Sequence, residues 1–404
     1  MVLKVLTTPF HARLSELSET GLYMHWAGYL TASRYDLSAK HEYFGVRTAA
    51  AIYDLTPMYK YWFRGRHAQR FLEGILARDV RTLKVGRAQY QVWCDDDGYV
   101  LEDGVLFRYA PDEFLLTCAE PNLGHFAQLA RGFDVEVIDA QSQIASLALQ
   151  GPRSKVILEQ LSPEVADLAY FGILQTKLAG HPVTVSRTGF TGDLGYELMM
   201  SNDSALPVLD ALLEVGGPHQ IRPFGDEALS MTRIEAGLPL IHVDFESARF
   251  AFNDHQRFTP NELGLGWLLK GIEDPSRPFI GRRALLREQS EGLSRWATVG
   301  LVLDWKAYFD LHESNGLIPT MDEQVAAWET MLYDSDHARA GWATSLMYSP
   351  MRQAYIAIAK VRPELSAIGT IVQVEHTVNH EYYMVPAEVV PLPFFNPPRK
   401  VSMT

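Results

Sequence analysis

Two cysteines in 404 residues, Cys94 and Cys118, exclude a disulfide framework, and neither sits in a C-x-x-C or Cys/His spacing that would hold a metal. Both fall in runs that read as strands, as buried thiols in a reducing compartment do. Positive charge is also scarce: 36 Lys and Arg against 49 Asp and Glu give a net −13 with no dense basic run, so the electrostatic footprint of a nucleic-acid binder is missing. No apolar run approaches the length of a membrane span, and the start MVLKVLTTPFHARLSELSE lacks the apolar core of a signal peptide. No P-loop, zinc motif or nucleophile elbow occurs. These absences point to a cytoplasmic, soluble protein with no nucleic-acid partner, no membrane partner and no metal.

What is present suits a folded chain of two or three domains, with 47% hydrophobic and 21% charged residues. The stretch S-A-K-H-E-Y-F-G-V-R-T-A-A-A-I-Y-D-L predicts one helix from a Ser38 cap to the stop at Pro57, followed by an aromatic strand, Y-K-Y-W-F-R. A second helix is expected over 67–77. From Ala88 short β-rich runs separated by D-D-D-G and A-P-D-E read as an antiparallel meander. Further on, I-A-S-L-A-L-Q is a strand, P-V-T-V-S-R and Y-E-L-M-M form a hairpin, and 226–236 is a helix with Asp226 as N-cap and Gly237 past its end. A boundary falls near residue 280, dividing 1–280 from 281–404. The second part alternates short strands with turns and carries a polar helical insert over 306–332, which reads as a small β-barrel or sandwich.

Candidate chemistry is sparse. The loop S-R-T-G-F-T-G-D-L-G-Y-E-L (186–198) spaces three glycines evenly, unlike a dinucleotide fingerprint. It reads as a glycine-bent hairpin, or as a loop delivering Glu197 to a ligand. A strand carboxylate accepts parallel hydrogen bonds from a planar ring with adjacent N–H groups, and serves equally as a solvated residue. Glu102 and Asp103 are adjacent in the meander and point to opposite faces, so at most one enters a given pocket; an exposed acidic bulge at Gly104 is the alternative. Arg233 ends a helix, where its charge is favourable without any ligand. His242 and Asp244 alternate on an extended segment, and aromatics cluster at Tyr23, Trp26, Tyr29 and Tyr59 to Phe63.

Taken in order, the segments YDLTPMYKYWFRGRHAQRFL, AQYQVWCDDDGYVLED, ALQGPRSKVI, SRTGFTGDLGYEL, RIEAGLPL, ELGLGWLL with FIGRRAL, and PLPFFNPP resemble the tetrahydrofolate-dependent aminomethyltransferase family, typified by the glycine cleavage T protein. The resemblance spans essentially the whole chain. It implies an α+β fold of two interwoven portions and a C-terminal antiparallel β-barrel around a central folate channel. It implies Glu197 at the pterin edge, Arg233 near the folate, Tyr90, Met58 and Phe190 in the folate pocket, and Glu102 as the catalytic acid beside the reactive nitrogens. Tyr29, Tyr59 and His242 are the candidate donor contacts.

The chain departs from the glycine cleavage pattern with Glu102 for Asp, Phe190 for Tyr, T-P-M for S-H-M, and Ala119 for Asn. Its E-D-G-V-L-F run is also similar to folate-dependent demethylases. The expected function is therefore transfer of a methyl or aminomethyl group to tetrahydrofolate, with a small methylated compound favoured as donor. Two alternatives stand beside it: a T protein acting on a lipoyl carrier protein, and a non-catalytic folate-binding protein.

Overall fold

The computed structural model describes residues 5–321, 324–326 and 328–402. A short helix α1 (His11–Ser15) precedes a hairpin of β1 (Leu22–Trp26) and β2 (Tyr29–Arg34), which takes up the first aromatic cluster. Helix α2 (Ala39–Thr48) starts at Ser38, whose side chain accepts from the Lys40 N–H as a cap should. It ends much earlier than expected. The segment after Ala49 is strand β3 (Ala50–Asp54), buried over Ala50 to Tyr53 between two neighbours. Its apolar run fits a helix or a central strand alike, and pairing with β-partners far along the chain decides it.

The chain then leaves that sheet. The turn 55–58 leads into β4 (Tyr59–Arg64), helix α3 (Ala68–Ile75), and the meander β5 (Arg87–Cys94), β6 (Val100–Ala110) and β7 (Glu113–Cys118). Helix α4 (Leu123–Leu129) and β8 (Glu136–Asp139) complete a five-stranded antiparallel sheet ordered β5-β6-β7-β4-β8. Strand β9 (Ile144–Gln150) returns to pair with β3. After helix α5 (Ser154–Leu161) come β10 (Ile173–Leu178), β11 (His181–Ser186), β12 (Gly195–Ser201), helix α6 (Ala205–Gly216), β13 (Ile221–Pro223) and helix α7 (Asp226–Glu235). The six-stranded order is β10-β11-β12-β9-β3-β13, so the whole second sheet is inserted between two paired strands of the first. This is the interweaving the resemblance implied.

Asp226 is the first residue of α7 and not its cap: Gly225 holds that position, and Asp226 accepts instead from the Tyr53 hydroxyl at 2.5 Å. Helix α8 (Arg282–Glu291) leads to the barrel strands β14 (Ala297–Leu303), β15 (Thr330–Tyr333), β16 (Arg339–Ser349), β17 (Ala354–Val361), β18 (Ile371–Val378) and β19 (Glu381–Val390), closed in the order β14-β17-β16-β15-β18-β19. Closure leaves no free sheet edge. The expected insert is helical only over α9 (Trp305–Ser314). Part of the rest, residues 322, 323 and 327, lies outside the described residues. Among the described residues no helix is long and apolar enough to cross a membrane.

The two sheets of the first part face one another. Ala88, Phe107 and Leu115 from one pack with Met199 of β12 from the other, flanked by Val105, Trp62, Ile144 and Ile173. That contact fixes which side chains line the space between them.

Candidate functional site

Alternation along a strand puts Glu197 on the same face as Met199, two residues on, and Asp103 on the same face as Val105. Both carboxylates therefore look into the space between the sheets. Asp103 is half-buried and accepts a 2.7 Å hydrogen bond from Tyr90, which lies on the neighbouring strand with its ring on the same face. Burial raises the Asp103 carboxyl to about 6, although the Tyr90 bond opposes the rise. Tyr90 in turn stacks on Trp267 at 6.3 Å, and the Arg78 guanidinium lies over the Trp267 ring at 5.2 Å. Trp267 is 54% exposed, which marks this end as open.

Glu197 occupies the facing wall. Thr188 donates to its Oε2 at 2.7 Å, and no residue described here bonds its other oxygen. Burial raises its pKa, while Thr188 and the charge of Lys60 pull it back. Lys60 is fully buried on β4, donates to the carbonyls of Thr56 (3.0 Å) and Met58 (2.9 Å), and is lowered to about 7 by desolvation. Met58, half-buried in the turn between the sheets, thus sits beside the Lys60 and Glu197 end.

The glycine loop is a hairpin and also a mount for Glu197. Strands β11 and β12 pair antiparallel with Ser186 opposite Glu197. Beneath the loop lies Gln150, fully buried, which donates to the carbonyls of Thr188 and Tyr196 and accepts from the Thr191 hydroxyl at 2.8 Å. A Cβ on Gly189 or Gly195 would fall 2.2 Å from the Gln150 side-chain oxygen and would push Gln150 off its hydrogen bonds under the loop. Arg47 donates to the Thr191 carbonyl and pairs with Glu235 at 2.7 Å, and Arg399 binds Asp193 at 2.6 Å. Helix α2, helix α7 and the C-terminal segment all brace this loop. Phe190 is half-buried within it.

Glu102 does not face the space between the sheets. It is 1% exposed on the opposite face, beside its ladder partner Trp93, which overturns both the exposed bulge and the pocket position expected from the sequence. Its Oε1 accepts from the backbone N–H groups of Ala119 (2.7 Å) and Glu120 (2.8 Å), and Oε2 accepts from the Asn122 side chain. Burial holds its pKa well above the usual carboxylate range against these bonds. Its geometry is that of a clamp on the corner after β7.

Arg233 is also inside the protein. It pairs with Asp244, donates to Ser345 Oγ at 2.7 Å, and leaves only Nε without a partner. Asp244 additionally accepts from Leu240 N–H and from the Thr344 and Ser345 hydroxyls, tying α7 and the following turn to β16 of the barrel. Burial would raise Asp244, but Arg233 and Lys360 hold it below its ordinary value. Of the donor candidates, Tyr59 is half-buried, stacks on Tyr61 at 6.4 Å, and shares the Glu102 face through its ladder partner Cys118. Tyr29 is 9% exposed at the start of β2. His242 lies at the rim, bonded to Glu120 (3.1 Å) and Glu246 (2.9 Å).

The sheet interior thus gathers Asp103, Tyr90, Glu197 and Lys60, with the Met58 carbonyl bonded to Lys60, and excludes Glu102 and Tyr59. Asp103, Gln150, Lys60 and Trp267 were not picked out from the sequence as site residues. Strand parity across the bulge that follows Trp93, where Trp93 opposes Glu102 and Cys94 opposes Val100, is the signal that separates Asp103 from Glu102, and it is invisible without the register.

The first part is two interwoven α+β portions whose sheets meet with Asp103 and Glu197 facing the junction, and the second is a closed barrel. The solved structure of glycine cleavage system aminomethyltransferase T from Bartonella henselae has the same fold, with a TM-score of 0.81 at 23% identity, over 97% of this chain and 99% of that one. Residues 11–271 match the GCVT N-terminal domain and residues 315–396 the glycine cleavage T-protein C-terminal barrel domain. The chain belongs to the glycine cleavage T-protein family of aminomethyltransferases, tetrahydrofolate-dependent transferases. It is 33% identical to the aminomethyltransferase of Thermus thermophilus, over 91% of this chain and 93% of that protein. It is also 29% identical to the trimethylamine-oxide aldolase of Ruegeria pomeroyi, over 96% of this chain but only 47% of that longer protein.

Proposed function

We propose that this enzyme moves an aminomethyl group from a lipoyl-type carrier protein to tetrahydrofolate, with Glu197 at the pterin edge and Asp103 at the reacting nitrogens. The observation that carries the reading is the facing pair: Glu197 with one unpartnered oxygen on one sheet, and Asp103 held by Tyr90 on the other. The open Glu197 oxygen fits a planar ring offering N–H donors, and Thr188 fixes the other oxygen so that the carboxylate is preorganised. Lys60 supplies positive charge behind it.

Tetrahydrofolate supplies two N–H nitrogens that take up the methylene carbon, and their two protons end on the leaving sulfur and the leaving amine. Asp103, titrating near 6, is suited to carry such a proton at neutral pH. Tyr90 fixes the direction of its carboxylate, and Trp267 stacks on Tyr90 at the open end where a ligand would enter. Arg233 acts through the Asp244 and barrel network, positioning the turn at the rim. We place the division between the folate-binding part and the barrel near residue 280.

The expectation of a small methylated donor is now the second reading. The relatives named aminomethyltransferase favour the carrier, whereas the trimethylamine-oxide aldolase, which matches 96% of this chain, favours a methylated amine. The Glu102 departure no longer argues for altered chemistry, because it falls on the corner clamp. Anaerobic incubation with tetrahydrofolate and either aminomethylated carrier or a panel of methylated amines separates the readings by the mass of the folate product. Methylene-tetrahydrofolate from the carrier is expected. Product only from the amines would establish the second reading, and tight folate binding without product from either would leave a non-catalytic folate-binding protein.

A further inference from the structure

The turn 240–245 holds His242 at φ +65°, a left-handed backbone that suits glycine and costs a side-chain-bearing residue about 1–2 kcal/mol. The conformation is locked: His242 N–H donates to the Phe245 carbonyl at 2.8 Å, and Asp244 N–H to the Leu240 carbonyl at 2.8 Å. Other non-glycine residues share this conformation, among them His337 and His380, and what sets His242 apart is the pair of carboxylates on its ring. Its imidazole is bonded on both sides, to Glu120 at 3.1 Å through Nε2 and to Glu246 at 2.9 Å through Nδ1.

We infer that His242 is a positioning residue, a cationic strut that holds Glu120 and, through the Glu120 corner, fixes the β6 strand that aims Asp103. The links are short. Glu120 and Ala119 donate their backbone N–H groups to the Glu102 carboxylate, and Asn122 closes the same clamp from its side chain. Glu102 immediately precedes Asp103, so pinning one side chain fixes the pleat that sends the other into the space between the sheets. Arg249 reaches the Asn122 side-chain oxygen at 3.4 Å and braces the corner from the second side.

The strut depends on charge. The Glu120 hydrogen bond raises the His242 pKa, against partial burial and with help from Glu246, to about 9. The groups facing it are Glu120 and Glu246. Glu120 in turn interacts with the Tyr59 phenol. Below pH 9 the imidazolium bonds both carboxylates. Above it a neutral ring can donate to only one of them, and Glu120 and Glu246 repel without a cation between them.

The inference rests on Asp103 being the proton-handling group of the proposed reaction. His242→Gly and His242→Asn both accept the left-handed backbone, so neither should lower the melting temperature appreciably. Both are expected to leave folate affinity within about twofold while lowering kcat about tenfold, as a small misplacement of a reacting group does. Wild-type kcat is expected to fall as pH rises through about 9, and both variants to lack that step. The carboxyl titration of Asp103, followed by carbon NMR and assigned by its loss in Asp103→Asn, is expected to move in both variants. A wild-type kcat profile in the variants, an unmoved Asp103 titration, or collapse of folding in both would overturn the strut. A wild type inactive with every donor, whose Asp103 titration nevertheless responds to His242→Asn, would sink the transferase reading and support the strut.

Discussion

In the proposed reaction Glu197 and Asp103 have different tasks. Glu197 should contribute binding: removing its carboxylate in Glu197→Ala leaves the pterin donors unpaired, and the folate Kd is expected to rise at least about tenfold by calorimetry. Asp103 should contribute rate and titrate visibly. Its folded pKa, about 6, lies above the ordinary 3.8, so the folded state favours the protonated acid and its ionisation costs stability. The sign is definite: relative to the wild type, Asp103→Asn should gain stability as pH rises from about 4 to 6 and level off above, checked by melting curves across that range. Glu197 was singled out in the sequence because it stands at a strand re-entry after a glycine loop, and only the resemblance put it at a pterin edge; the hairpin itself is observed. Asp103 was not singled out, because choosing it over Glu102 requires knowing which face of the meander meets the other sheet.

At the level of elements, the meander is the sensitive part. A Cβ on Gly104 would fall 2.3 Å from the Thr117 carbonyl oxygen of β7, a backbone atom with nowhere to go. Gly104→Ala is expected to lose about 1–3 kcal/mol in denaturant unfolding and to lower turnover by spreading β6 from β7 beside Asp103. The joint between α7 and the barrel is the other. Asp244→Ala would strand the Arg233 guanidinium inside the protein, at a cost of about 3–5 kcal/mol. Unfolding curves check both. Element type was readable wherever turn chemistry bounded a run, as in the meander and the β11–β12 hairpin. It failed at β3, whose apolar residues follow a helix with only Ala49 between, and whose strand partners β9 and β13 lie about a hundred residues or more away.

Across the whole molecule, the order of segments carried more information than any motif. The interwoven first part and the closed barrel followed from that order, while the faces of individual strands and the buried braces under the glycine loop did not. Gln150, Arg47 and Arg399 look ordinary in the chain; folding brings them against one loop from three directions. In the proposed reaction Asp103 handles the proton between the two sheets and Glu197 binds the pterin across from it. The most direct test is the single-turnover rate of folate product formation in Asp103→Asn with tetrahydrofolate saturating. The rate should fall at least about tenfold with the folate Kd within about twofold of the wild type; an unchanged rate would contradict the assignment of Asp103.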